Sequence, residues 1–191
     1  MSSSATPYGM IPTLGLSSTY NTQGFDTYEI VDGYATAIYF GDVVKMATTG
    51  YIQKDTGTTT LTPWGVFMGC RYIEPATGFA LDSQYWPASV TTGLKVYAKV
   101  MTNPFGVFQI QGDAATTIAA IGANAAIVQT AGTAAIGKSR NALSVSSINT
   151  TDTLPLRIVG LAAIPNNEWT DTYPDMLVKF NNHQLTTLLG I

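Results

Sequence analysis

Along most of the chain, apolar and polar residues alternate in short runs, and each run stops at a turn residue. Leu94–Met101 is the clearest case: Leu94, Val96, Ala98 and Val100 alternate with Lys95, Tyr97, Lys99 and Met101, as in a strand with one face turned to water. Thr27–Val31, Tyr34–Phe40, Asp42–Ala47, Tyr51–Lys54 and Thr58–Leu61 read as further strands, with Thr49-Gly50 and Asp55-Thr56-Gly57 as turns between the later ones. Trp64–Ile73 is apolar nearly throughout. It predicts a strand buried on both faces, where Gly65 and Gly69 leave room for close backbone approach. Beyond the turn Asn103-Pro104, strands are predicted over Gly106–Gln111, Ala125–Gln129, Ala142–Val145, Leu156–Ile164 and Met176–Phe180. Helix is predicted only over Thr116–Ile121, ended by Gly122, and as a turn within His183–Ile191.

Three stretches break this rhythm. Residues 1–26 carry Tyr8, Met10, Ile11, Leu14, Leu16 and Tyr20 among Ser, Pro and Gly. Such a segment cannot bury its apolar side chains alone, yet it is too apolar for a solvated tail. It reads as an extended arm that packs on a neighbour. Residues 74–93 are long for a loop, and Phe79, Tyr85 and Trp86 argue for an ordered excursion packed on this subunit or another. Asn166–Pro174 is a polar loop holding Trp169 and Tyr173. About ten to twelve strands with no linker predict an all-β chain. The expected architecture is a single β-sandwich or barrel over residues 27–191, preceded by the arm.

Composition agrees. Of the 191 residues, 28 are Thr and three are Glu, which favours a pleated surface over helix. Charged residues make up 11%, less than half the roughly 25% of an ordinary soluble domain. A small monomer so poor in charge tends to associate, whereas a chain packed among other copies escapes that cost. Net charge is −3 and the nine basic residues are scattered singly. No patch is expected to follow a phosphate backbone, so nucleic acid is not an expected partner. No apolar stretch approaches the roughly 20 residues needed to span a bilayer, so no membrane is expected either. The opening MSSSATPYGM has neither a basic segment nor an apolar one, and no signal peptide is expected.

Catalytic material is sparse. His183 is the only histidine, flanked by Asn181 and Asn182, and reads as a surface or subunit-contact residue. Cys70, the only cysteine, lies within an apolar strand and reads as a buried, inert thiol; alone it also excludes a disulfide framework and a Cys-rich zinc site. No nucleophile elbow, phosphate-binding glycine loop, or zinc or calcium ligand string occurs. The chain is expected to be no enzyme and to need no cofactor or metal. What remains is aromatic: Tyr85 and Trp86 in one loop, Trp169 and Tyr173 in another, on an uncharged frame. Such side chains suit protein interfaces and sugar-binding faces alike, and they also serve as plugs at the ends of a sandwich.

Several segments carry a resemblance: Gly41-Asp42-Val43-Val44, Gly50-Tyr51-Ile52-Gln53-Lys54-Asp55-Thr56-Gly57, Gly65-Val66-Phe67-Met68-Gly69-Cys70, Gln84-Tyr85-Trp86-Pro87, Leu154-Pro155-Leu156-Arg157-Ile158-Val159 and Val178-Lys179-Phe180-Asn181. In these patches the chain resembles virion structural proteins of tailed bacteriophages, marine ones especially. The nearest functional analogy is the head-decoration, or cement, protein. The resemblance implies a jelly-roll-like or, alternatively, tulip-like all-β fold. It also implies residence on the capsid surface after synthesis in the host cytoplasm, with the major capsid protein and neighbouring copies as partners. In that role the arm, through Tyr8, Met10, Ile11 and Leu14, and the loops, through Tyr85, Trp86, Trp169 and Tyr173, would bridge capsid subunits. A tail or head-fibre component and a carbohydrate-binding module are the alternatives.

Overall fold

The computed structural model describes residues 4–13 and 25–186. Its strands are β1 (Ile11–Pro12), β2 (Asp26–Ile30), β3 (Ile38–Tyr39), β4 (Val43–Met46), β5 (Ile52–Lys54), β6 (Gly65–Ile73), β7 (Ala80–Ser83), β8 (Tyr85–Trp86), β9 (Val96–Met101), β10 (Phe108–Gln111), β11 (Asn124–Val128), β12 (Ala142–Asn149), β13 (Leu156–Leu161) and β14 (Asp175–Phe180). Strand accounts for 41% and helix for 2%, so the fold is all-β. The expected helix over 116–121 shrinks to a single 3-10 turn, Ile118–Ala120.

Two antiparallel sheets pack sandwich-like. The first runs in the order β1-β10-β14-β13-β11-β12, and the second β2-β9-β6-β4-β5, with β7 also on β6. A small third sheet pairs β3 with β8. Beyond β10, Gly112 bridges in parallel to Leu143 of β12, which curls the first sheet back toward its own start.

Period-two alternation sorts the side chains into two cores. Val43, Val66 and Met101 of the second sheet meet Phe108, Ile110, Ile127, Leu143, Leu156, Ile158, Met176 and Val178 of the first. Val44, Phe67, Val96, Ala98 and Val100 point the other way, into a second core with Ile30, Ile38, Ile52 and Trp86. The second sheet is therefore a middle layer, covered on both faces where β4, β6 and β9 cross. Burial of each such side chain stabilises the fold by roughly 1.5–3 kcal/mol.

Two glycines make β6 possible. A Cβ at Gly65 would stand 2.3 Å from the Met101 carbonyl oxygen, and one at Gly69 2.8 Å from that of Ser83. Gly69 also adopts φ +125°, a conformation that only glycine takes readily. Here β6 bulges: from Phe67 to Cys70 it advances three residues while β9 advances two, Val100 to Ala98. The extra residue reverses the alternation. Cys70 and Tyr72 enter the second core, and Arg71 turns to the opposite face beside Tyr97.

The structure corrects two expectations and decides between the alternatives of a third. The described part of the arm is extended, but it lies along its own chain: Ile11 and Pro12 pair with Gln109 and Phe108 at the edge of the first sheet. Pro12 is tolerated there because an edge strand leaves one side without ladder bonds. Residues 74–93 form β7 and β8 and pack on this chain. Thr58–Leu61 is no strand, because Asp55 organises it instead: its carboxylate accepts the N–H groups of Gly57 at 3.1 Å and Thr62 at 2.8 Å. The remainder of the arm and the end of the expected C-terminal turn lie outside the described residues.

Candidate functional site

The residues expected to meet a partner are not brought together. Met10 is completely buried in the first core and Trp86 in the second. These are corrections, since a side chain without exposed surface can touch neither a capsid subunit nor a sugar. Ile11 is half-buried in β1. Tyr8, also half-buried, donates its hydroxyl to Asp175 and accepts from Gln109 Nε2 at 2.8 Å; burial, then Asp175, push the phenol well above its usual range. Trp169 packs against the first core. Tyr173 is half-buried in the same loop, which Asn167 ties to Asp175 through bonds of 2.8 and 2.9 Å. Tyr8 and that loop thus meet at Asp175. Tyr85 lies elsewhere, stacked on Tyr39 at 5.5 Å and 11°. Leu14 lies outside the described residues.

Sequence reading missed a buried ionic hub. Asp42 accepts Ser139 Oγ at 2.6 Å and Asn141 Nδ2 at 3.2 Å on one oxygen, and Lys54 Nζ at 2.8 Å and the Tyr39 N–H at 2.9 Å on the other. A carboxylate has about four acceptor positions. All are taken, so the hub clasps β4 and β5 to the segment before β12 and leaves no lone pair for a substrate. The histidine is a correction as well. His183 is 2% exposed, its ring 5.7 Å from Phe180, with Nδ1 accepting the Leu185 N–H at 3.1 Å. Burial lowers its pKa to about 4, opposed only in part by the Trp64 backbone. Cys70 is buried as expected, and burial pushes its thiol up to about 12. Among the described residues, no group of three His, Cys, Asp or Glu side chains is placed to hold a metal ion. No helix there is long and apolar enough to cross a membrane.

A groove of about 550 Å³ lies on the second sheet. Register builds it. Glu29 of β2 pairs with Tyr97 of β9, Tyr97 with Arg71 of β6, and Arg71 with Asp82 of β7; cross-strand partners share a face. Alternation adds Lys99 of β9 and Lys95 just before it, and Thr27, Tyr72, Ile73 and Ala80 complete the lining. Lys95 pairs with Glu29 and Lys99 with Asp82 at 2.8 Å, whereas Arg71 reaches Asp82 only at 4.0 Å. Three of the nine basic residues thus converge, contrary to the expectation of single scattered charges. Their lone positions in sequence hid this; the signal available was the Lys95-Tyr97-Lys99 side of the most regular strand.

Compared with known proteins, the chain matches no protein-family model, no curated protein and no solved structure.

Proposed function

We propose that this chain is a non-enzymatic capsid decoration protein, which binds the outside of an icosahedral phage head and stabilises it by bridging major capsid subunits. The observation that carries the reading is apolar surface on a frame poor in charge. Phe79 is 77% exposed, Ile118 68% and Phe105 64%, and Phe25, Leu94 and Ile136 are each more than half exposed. Apolar side chains so exposed are available for another protein to cover. The all-β sandwich suits the role, as does the sequence resemblance to virion proteins. Bridging falls to these exposed side chains and to the half-buried Tyr8, Tyr85 and Tyr173, not to Met10 or Trp86. Weak individual contacts suffice when many copies act on one shell.

Quantitative mass spectrometry of purified virions, scaled to the major capsid protein, tests this. A ratio near one, or a simple fraction of it, is the expected result. A handful of copies per particle would move the protein to the tail or a head fibre, and absence from the particle would end the virion reading.

A further inference from the structure

We propose that the groove on the β2–β9–β6–β7 face binds an acidic polysaccharide, with one sugar ring stacked on Tyr97 and a ring carboxylate held by Arg71. Tyr97 is 40% exposed at the centre of the groove, an aromatic surface on which a sugar ring can lie. Lys99 of the same strand and Lys95, just before it, flank the ring, each two residues away, or ~7 Å at the rise of an extended chain. Charge, ring and charge therefore recur along one line, which suits a polymer bearing charge on successive sugars better than a small isolated anion.

Electrostatics selects the class. Among the described residues, Arg71, Lys95 and Lys99 form ion pairs with Glu29 and Asp82, three cations to two carboxylates on a chain of net −3. Asp82 is shared between Lys99 and Arg71, and the contact to Arg71 is the long one. The planar fork of Arg71 is thus the group best placed to take a carboxylate in two parallel hydrogen bonds. The two carboxylates have their own part, since they can accept hydrogen bonds from sugar hydroxyls. They also argue against nucleic acid, whose continuous phosphates would meet Glu29 and Asp82. The proposal is independent of the capsid assignment: a virion protein and a free binding module could both use such a face.

Affinity electrophoresis of the full chain in native gels tests it, with alginate as the acidic polysaccharide, dextran as the neutral one, and double-stranded DNA as a competing polyanion. Alginate should retard the protein; dextran should not, and DNA should not relieve the retardation. Arg71→Gln and Tyr97→Ala should each weaken alginate binding about tenfold or more, the size expected for losing a charged hydrogen bond or a stacking platform. Both residues are surface-exposed, so melting curves should match the parent; should Tyr97→Ala melt early, Tyr97→Leu keeps the bulk of the side chain and removes the ring. The double variant Lys138→Gln/Arg140→Gln removes two exposed cations elsewhere and should bind as the parent does. No retardation by alginate, equal retardation by dextran, relief by DNA, or an equal loss in the Lys138/Arg140 variant would each overturn the proposal.

Discussion

The indole of Trp86 sits edge-on to Tyr72 at 5.3 Å, and its Nε1 donates to the Tyr34 carbonyl at 3.2 Å. One residue earlier in the chain, Tyr85 faces away and stacks on Tyr39. Adjacent strand residues point to opposite sides, so a single dipeptide supplies one core side chain and one surface platform. Replacing Trp86 with Ala would leave a large cavity in the second core and take one of two donors from the Tyr34 carbonyl, which keeps the Ser89 N–H at 2.8 Å. Denaturant unfolding of Trp86→Ala should show a loss of about 3–5 kcal/mol. A loss below about 1 kcal/mol would contradict the burial described above, because substitutions at exposed positions rarely exceed that range.

Among elements, β1 has the most unexpected role. Its sequence is too short and too rich in proline and glycine around it to announce a strand, but β10 offers an open edge and Met10 has a place in the first core. Met10→Ala should therefore destabilise the whole domain by about 2–5 kcal/mol, read as a lower melting midpoint. A freely extended arm would leave the midpoint unchanged. The strands that sequence located well carry a mark: period-two alternation in β9 and β14, and a nearly unbroken apolar run in β6. Those it missed or misplaced lack that mark. β7 is an edge strand with Ala80, Leu81 and Asp82 all exposed, and β8 is two residues long. The groove escaped for another reason. Glu29, Arg71, Asp82 and Tyr97 come from four strands, and only the register, fixed by a bulge and by long-range pairing, sets them in one row.

Over the whole molecule, the titration of His183 gives stability a definite pH dependence. The unfolded imidazole takes up its proton near 6.5, while in the folded chain burial delays this to about 4. Below 6.5 the unfolded state binds more protons, so stability falls as pH drops from 6.5 to 4 and is greatest above that window. The difference amounts to roughly 3 kcal/mol at its lower limit. Melting temperatures measured across this range should decline toward acid, and His183→Phe should flatten the decline. An unchanged slope in that variant would assign the effect to carboxylates elsewhere.

The bulge at Gly69 has a consequence for how the molecule can change over generations. Straightening β6 while keeping all its residues, as a bulkier residue at Gly69 would favour, would carry the Phe67–Val100 register forward and aim Arg71 inward and Cys70 outward. The two-sided core resists such a swap. Point changes at Arg71, Lys95 or Lys99 meet no comparable obstacle. Lineages can therefore change the charges on this face while the bulge beneath it stays fixed.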